Sequence, residues 1–256
     1  MLQKIPHETE VNRARYMPQN PCVIATQTAT GDALIFDYTR HPNNTSSSNA
    51  QAAEKCEPEA RLVHHRQEGY GLCWSPRTQG HLLTAAEDGH VCLWYALEGF
   101  SSFFSFPRDV GAASKEKRTL EPVSVFTGHG AAVVEDVDWH WHRDGCFASV
   151  GDDGMLMIWD AKVPTSAVQQ IRAHREEVNS VRFNPANDFM LATGSADHTV
   201  LLWDLRNLKA PLHCLDAHHG PILQLYWSPH HEHILASAAA DRRLALWDLS
   251  RIGAEQ

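Results

Sequence analysis

The chain has 256 residues, of which 43% are hydrophobic and 21% are charged, and its 22 Lys and Arg against 31 Asp and Glu give a net charge of −9. This length can bury a sizeable core, and no apolar run approaches the roughly 18 residues that span a bilayer. The acidic balance argues against a phosphate backbone as the main partner and favours a basic protein. Without a Cys-x-x-Cys pair or a secretory signal pattern, we expect an intracellular protein with reduced thiols.

Five similar units follow one another along the chain, and we expect them to form one domain over residues 1–256. They span about 7–38, 62–97, 123–162, 171–206 and 215–250, and they end in Phe36-Asp37, Trp94-Tyr95, Trp159-Asp160, Trp203-Asp204 and Trp247-Asp248. The last three tryptophans are 44 residues apart, which is the period of a four-stranded propeller blade. Polar or irregular stretches at about 39–60 and 98–119 lengthen the earlier intervals, and we interpret them as inserted loops.

Four units carry the same set of a His, a hydroxyl, an Asp and a Trp at nearly constant spacing. The sets are His65, Thr84, Asp88 and Trp94; His129, Ser149, Asp153 and Trp159; His174, Thr193, Asp197 and Trp203; and His218, Ser237, Asp241 and Trp247. We predict that the His bonds the Asp while the hydroxyl links the His to the indole N–H, so that buried polar groups satisfy one another.

The stretches between these markers have the short apolar runs and turn residues of β-strands and hairpins, and helical periodicity is nowhere sustained. The pattern predicts an all-β fold, a WD-repeat β-propeller with five recognisable blades of four strands each. The first unit departs from this pattern, with Thr30 where the turn Asp is expected. In the second unit, Tyr95 replaces the Asp that usually follows the Trp.

Other kinds of chemistry are less well supported by these residues. A His, hydroxyl and Asp set suggests a hydrolase triad, but its repetition in four units with a Trp each time favours a structural role, so we predict no enzyme. The cluster at His230, His231 and His233 could ligate a metal, as could His140 and His142, but both lie at hairpin tips where polar residues are simply solvated. With no phosphate-binding loop in the sequence, we predict no cofactor.

Aligning the units on the aromatic residue of the first strand predicts a binding face. Six residues before that aromatic stand Glu10, Glu68, Val133, Glu177 and Pro221, and four residues before it stand Asn12, Tyr70, Glu135, Asn179 and Leu223. Side chains two apart in a strand share a face, so these positions should form a ring at the channel mouth. The ring suits a Lys/Arg-rich peptide, although an acidic protein must also place its carboxylates somewhere on its surface.

Several longer stretches resemble a known family. They are residues 10–21, 36–39, 68–72, 126–129, 133–137, 191–197 and 241–244, and they are similar to the retinoblastoma-binding, Msi-type histone-binding WD-repeat proteins. The resemblance implies a seven-bladed propeller that serves chromatin assembly, deacetylase, remodelling and Polycomb complexes as a shared histone-binding subunit. It also implies a nuclear location, with a cytoplasmic pool.

The resemblance further implies that the basic tail of histone H3 binds the channel face. The matching residues are Glu10, Asn12, Arg13, Arg15, Glu68, Tyr70, Glu135, Asp152, Glu177 and Asn179. The fifth unit departs from the family with Pro221 and Leu223, where an acid and an aromatic residue are expected. The likeness covers the middle five repeats only, so we do not expect the histone H4 groove, which the family builds from its terminal helix and acidic loop.

Two alternative functions remain open at this stage. The same face could recruit non-histone clients as a WD adaptor, for example for a ubiquitin ligase. The chain could also be a truncated product without function, in which case it would lack a cooperative unfolding transition.

Overall fold

The computed structural model describes residues 4–41, 56–96 and 118–252, and in these ranges the chain is all-β. The strands of the first two units are β1 (Val11–Met17), β2 (Asn20–Thr28), β3 (Ala33–Asp37), β4 (Ala60–Leu62), β5 (Gly71–Trp74), β6 (His81–Ala85), β7 (Val91–Tyr95), β8 (Arg118–Leu120) and β9 (Ser124–Phe126). Those of the last three are β10 (Val134–Trp139), β11 (Cys146–Gly151), β12 (Met155–Asp160), β13 (Gln169–Arg172), β14 (Val178–Phe183), β15 (Met190–Ser195), β16 (Val200–Asp204), β17 (His213–Leu215), β18 (Ile222–Trp227), β19 (Ile234–Ala239) and β20 (Leu244–Asp248). Two short 3-10 helices, Tyr38–Arg40 and Leu249–Arg251, are the helical elements of the described residues. The predicted fold class is therefore confirmed.

The strands pair into five sheets, one for each sequence unit. The second, third and fourth sheets have the orders β5-β6-β7-β9, β10-β11-β12-β13 and β14-β15-β16-β17, and they are antiparallel throughout. The first sheet has the order β1-β2-β3-β4-β8, and its outermost pair, β4 with β8, is parallel. The fifth sheet consists of β18, β19 and β20 in the described part of the chain.

The inserted loops are shorter in structure than in prediction. Ala60 at the end of the first predicted loop begins β4, and Arg118 and Thr119 at the end of the second belong to β8. Residues 42–55 of the first predicted loop and 98–117 of the second lie outside the described residues. Strand signals of three residues are too short to detect by alternation, which explains why sequence reasoning missed these two strands.

Each sheet packs face to face against the next one along the chain. Between the second and third sheets, Leu83 and Leu93 contact the layer formed by Val137, Trp139 and Phe147. Similar apolar layers join the first to the second, the third to the fourth and the fourth to the fifth sheet. Inner strands are thus covered on both faces, which is why β7 and β12 are nearly continuous apolar runs.

Hydrogen bonds reinforce this stacking at one repeated position. The indole Nε1 of Trp74, Trp139 and Trp227 donates to the carbonyl oxygen of Arg15, Cys73 and Arg182 in the preceding sheet, at 3.0, 3.2 and 3.1 Å. Tyr16 occupies the same register position in the first sheet, yet its side chain is 65% exposed. Its face looks away from the second sheet, and no sheet covers it among the described residues.

Candidate functional site

The residues selected by spacing meet in four sheets. His Nδ1 contacts the turn Asp in the pairs His65–Asp88, His129–Asp153, His174–Asp197 and His218–Asp241, at 3.1, 2.8, 3.0 and 3.0 Å. His Nε2 lies 2.7 to 2.8 Å from the hydroxyl oxygen of Thr84, Ser149, Thr193 and Ser237. The same four oxygens accept from the indole N–H of Trp94, Trp159, Trp203 and Trp247 at 2.8 to 2.9 Å. Each network therefore joins the entry loop, two strands and the hairpin turn of its sheet.

The environment of these networks matches a structural role. The four hydroxyl side chains are fully buried, and each has both a His and a Trp as neighbour. A catalytic hydroxyl must reach a substrate, which these cannot do without opening the core. Burial also lowers the pKa of His174, since the charged imidazolium loses hydration there.

The first sheet keeps a reduced form of the same network, which sequence reasoning missed. His7 Nε2 lies 3.0 Å from Thr26 Oγ1, and the His7 ring packs on Phe36 with centroids 4.9 Å apart. His7 precedes Thr26 by 19 residues and Phe36 follows Thr26 by 10, the spacings found in later units. Those two spacings were the available signal, although the unit lacks the Trp and the turn Asp.

The predicted ring positions lie at one end of every sheet. In all five sheets, the residue six positions before the first-strand aromatic accepts a hydrogen bond with its backbone carbonyl. The donor is a backbone N–H in the hairpin between the second and third strands of the same sheet. The pairs are Ala29 to Glu10, Glu87 to Glu68, Asp152 to Val133, Ala196 to Glu177 and Ala240 to Pro221, at 2.8 to 3.1 Å. The starts of the first strands and the turns that carry the network Asp residues therefore share one end of the fold, which we call the acidic face.

Carboxylates concentrate where the second, third and fourth sheets meet on the acidic face. Burial, followed by the negative charges of Asp152 and Asp136, raises the pKa of Glu135 to about 7. Burial and the charge of Glu177 raise the pKa of Asp152. Negative potential at this place destabilises each ionised carboxylate and favours a bound cation.

Glu87 belongs to this group although sequence reasoning did not select it. Its charge raises the pKa of both Tyr70 and Glu135, after burial as the largest cause for each, which places it among the carboxylates of the face. Glu87 directly precedes the turn residue Asp88, just as Asp152 precedes Asp153. The equivalence with Asp152 was the signal that could have found it.

The two amide side chains of the acidic face link neighbouring sheets. Asn12 Nδ2 donates to Glu68 Oε2 at 3.1 Å and thus links the first and second sheets. Asn179 Nδ2 donates to the Ile222 carbonyl at 2.8 Å and links the fourth and fifth. On the same face, Glu10, Asp152 and Glu177 are exposed.

The two arginines selected by resemblance are placed differently. Arg13 points inward, where its Nη1 donates to Asp136 Oδ1 at 2.7 Å and its side chain is 12% exposed. Arg15 Nη1 donates to the Ala14 carbonyl at 2.9 Å. Arg13 therefore forms an internal ion pair and does not reach the acidic face. The residues that the structure brings together on that face are Glu68, Tyr70, Glu135, Asp152 and Glu177, together with Glu87, which the sequence reasoning did not select.

Asp136 is the centre of an ion cluster that the sequence did not reveal. Its carboxylate is fully buried and accepts from Arg13 of the first sheet and from Arg182 Nη1 of the fourth at 2.6 Å, with Ser180 Oγ and the Val181 N–H at 3.2 Å. Burial alone would raise the pKa of Asp136, but the two guanidinium groups lower it below its usual value. The carboxylate is therefore ionised and ties three sheets together.

The histidine clusters show hairpin geometry rather than converging ring nitrogens. Ser228 Oγ accepts from the backbone N–H of His230 and His231, and His140 Nδ1 accepts from the backbone of the following turn. No group of three metal-ligating side chains is present in ranges 4–41, 56–96 and 118–252. Within the same ranges, no helix has the length and apolar character needed to cross a membrane.

These features define a repeat protein built from stacked, mainly antiparallel sheets, four of which are each held by a His, hydroxyl, Asp and Trp network. The family model described as "WD domain, G-beta repeat" matches residues 56–95, 120–160, 165–204 and 209–248, which is more than half of the chain. The chain belongs to the WD-repeat family. Its repeats are those of a protein-interaction scaffold, a class in which the sheets generally present surfaces to protein partners and do no chemistry.

Proposed function

We propose that this protein is a histone-binding scaffold subunit of chromatin complexes, and that it holds the Lys/Arg-rich tail of histone H3 on the acidic face. One observation carries the proposal: Glu68, Glu87, Glu135, Asp152 and Glu177 come together at one end of three adjacent sheets. Burial, followed by the negative charges of Asp152, Asp136 and Glu87, raises the pKa of Glu135 to about 7. A bound Lys or Arg side chain relieves the repulsion among these carboxylates and forms charge-assisted hydrogen bonds.

The assignment to histones adds the sequence resemblance to this electrostatic argument. The resembling stretches include 68–72 and 133–137, which supply Glu68, Tyr70 and Glu135 of the face. Location in the nucleus, with a cytoplasmic pool, belongs to the same proposal. It is tested by imaging a fluorescent fusion of the chain, and exclusion of the fusion from nuclei would count against a chromatin role.

The binding experiment uses a fluorescein-labelled, unmodified H3 N-terminal peptide and fluorescence anisotropy across a salt series. We expect saturable binding that weakens as salt rises, and a loss of at least tenfold in affinity for Glu68→Lys/Glu177→Lys, because each substitution reverses a charge at the mouth of the site. Glu232→Lys is the matched control, since Glu232 is exposed at the opposite end of the fifth sheet. Equal loss in the control, or binding that ignores charge reversal, would contradict the proposal.

A WD adaptor for non-histone clients is the second candidate, and one observation favours it. Leu223 stands on the ring with 52% of its side chain exposed, next to Pro221, so the sector of the fifth sheet is apolar rather than acidic. A client that combines one cation with an aliphatic side chain would use both sectors. Competition between the H3 peptide and peptides of matched length with acidic or apolar composition separates the two functions, because a histone reader prefers the basic peptide.

A further inference from the structure

A pocket of about 280 Å³ lies between the third and fourth sheets. Its lining comes from the hairpin between β10 and β11, the end of β12, the start of β13 and the residue after β16, all at the end of the sheets opposite the acidic face. Both sheets have four strands, and each packs between two neighbouring sheets. The pocket is therefore a feature of two fully stacked sheets and does not arise at an unpaired strand edge or an uncovered sheet face.

Three aliphatic side chains line the pocket. Ile158 of β12 and Leu205 are nearly buried, and both belong to the apolar layer between the two sheets. Val168 is 62% exposed, and its backbone N–H donates to the Ile158 carbonyl at 2.8 Å. The volume is below the roughly 300 Å³ at which small-molecule sites begin, but it accommodates one aliphatic side chain. The pocket therefore fits a residue of a protein segment better than it fits a cofactor.

Arg143 supplies a positive charge to the lining. Its side chain is exposed and forms no ion pair with any described residue, whereas the neighbouring Asp144 is paired with Arg77. The guanidinium carbon of Arg143 lies 5.2 Å from the centroid of the Phe189 ring, so the side chain reaches from the third sheet to the fourth. A guanidinium placed on an aromatic ring presents its N–H groups for a bidentate contact with a carboxylate.

Two further lining residues restrict what can enter. Asp160 Oδ1 accepts from the backbone N–H of Lys162 at 2.9 Å, and its negative charge disfavours a second acidic residue beside the one that Arg143 binds. Burial raises the pKa of the Cys146 thiol to about 11, so the thiol stays protonated and forms a neutral part of the wall. The lining therefore favours a single carboxylate next to an aliphatic side chain.

We propose that the pocket between the third and fourth sheets is a docking site for an extended segment of a partner protein, in which one acidic residue is adjacent to one aliphatic residue. The aliphatic side chain packs against Ile158, Val168 and Leu205, and the carboxylate binds the Arg143 guanidinium. Burial of the aliphatic side chain supplies affinity, and the charge-assisted hydrogen bonds supply specificity. This surface is separate from the acidic face and does not depend on the histone proposal.

The test uses the peptide acetyl-Ala-Glu-Leu-Ala-amide, which is titrated into the nitrogen-15-labelled full chain and followed by heteronuclear NMR. We expect saturable shifts of the amide signals of residues 143–146, 158–160, 168–169 and 205. Replacing the glutamate of the peptide by glutamine, or its leucine by serine, weakens binding at least about fivefold, because each change removes one of the two contacts.

Two variants of the protein remove the same contacts from the other side. Arg143→Gln and Val168→Asp each weaken binding at least about fivefold, and since both residues are exposed the fold is kept, which the remaining amide signals verify. Val123→Asp is the matched control for Val168→Asp, because Val123 is exposed and precedes the fourth strand of the second sheet in the same way, with its N–H on the Leu93 carbonyl. Arg175→Gln is the control for Arg143→Gln, since Arg175 is exposed at the other end of the fourth sheet.

Three results would overturn the proposal. The first is equal binding of the original peptide and its glutamine or serine version, or the absence of saturable shifts at the pocket of a folded sample. The second is a loss of affinity in the two control variants as large as in Arg143→Gln and Val168→Asp. The third is a dimer in light scattering that Val168→Asp converts to a monomer, because a second copy then occupies the pocket.

Discussion

A single buried hydroxyl in each of four sheets has two partners that depend on it. Thr193 Oγ1 lies 2.8 Å from His174 Nε2 and accepts from Trp203 Nε1 at 2.9 Å. The spacing of these residue types in the sequence was sufficient to select them, because four units of the chain repeat it. Sequence alone could not show that the oxygen is completely enclosed.

Replacing Thr193 by Val removes the hydroxyl and keeps the shape of the side chain. We expect a loss of about 2–4 kcal/mol in the free energy of unfolding, because a buried imidazole nitrogen and a buried indole N–H lose their partner together. Urea titration followed by tryptophan fluorescence measures it. Thr165→Val is the control on an exposed loop residue, and a loss in Thr193→Val no larger than in this control would contradict the argument.

The raised pKa of Glu135 gives the free energy of unfolding a dependence on pH. The folded protein holds the Glu135 proton up to about pH 7, whereas the unfolded chain releases it near the ordinary glutamate value. The folded state therefore binds the proton more tightly, and this contribution to stability is present at low pH and is lost as pH rises through about 7.

Glu135→Gln removes this titration. We expect the variant to be more stable than the wild type by about 1–2 kcal/mol at pH 8, a value that allows for partial solvent screening, and the difference to shrink toward pH 5. Urea unfolding at a series of pH values between these limits tests it. A constant difference across the range would show that Glu135 does not titrate as the structure requires.

The carboxylates of the acidic face were only partly predictable. Glu68, Glu135 and Glu177 follow from the register of the first strands, since the positions six and four residues before the first-strand aromatic recur in each unit. Glu87 comes from a different loop, and only its place before Asp88 connects it with Asp152. Nothing in the sequence indicated that Asp136 is buried. It follows Glu135 in a strand, and only the structure shows that arginines from two other sheets pair with its carboxylate.

At the scale of the element, the hairpin between the second and third strands has a fixed conformation. The residue after the network Asp has positive φ in four sheets, as Gly89 at 76°, Gly154 at 72°, His198 at 73° and Arg242 at 65°. Two sheets use glycine at no steric cost, and two accept the strain of a side chain in the left-handed region. The sequence predicted the hairpins. That His198 and Arg242 share the positive φ of the two glycines could be seen only in the structure.

His198→Gly should therefore stabilise the fourth sheet. We expect the free energy of unfolding to rise by about 0.5–1 kcal/mol, because relief of the left-handed strain exceeds the greater entropy that glycine gives to the unfolded chain. Differential scanning calorimetry measures it as a higher Tm. The reverse change, Gly154→His, should lower Tm, and a lower Tm for His198→Gly would mean that the imidazole makes a compensating contact.

At the scale of the whole molecule, apolar clusters join each sheet to its neighbour along the chain. The Arg13–Asp136–Arg182 cluster is different, since it connects the first, third and fourth sheets through one buried carboxylate. The order of the sheets and their face-to-face packing could be predicted from the five sequence units. This cross-link could not, because its members come from strands that share no spacing rule.

Asp136→Asn removes the carboxylate that accepts hydrogen bonds from two partly enclosed guanidinium groups. We expect a loss of about 3–5 kcal/mol and a broader unfolding transition, because breaking a buried ion pair leaves charge uncompensated. Guanidinium chloride titration followed by both fluorescence and circular dichroism detects both effects. Asp144→Asn breaks the exposed pair with Arg77 and should cost less than about 1 kcal/mol. Equal costs for the two variants would refute a special role for the buried cluster.

The same carboxylate also sets an order of events during synthesis. Arg13 is made 123 residues before Asp136, and Arg182 follows it by 46. On the ribosome the strands of the first sheet emerge early, but Arg13 has no ion-pair partner until Asp136 of the third sheet has emerged. Asp136 gains its second partner, Arg182, only with the fourth sheet. We therefore expect the N-terminal strands to be held less firmly while the middle of the chain is translated, and a nascent-chain chaperone that shields them would matter most during that interval.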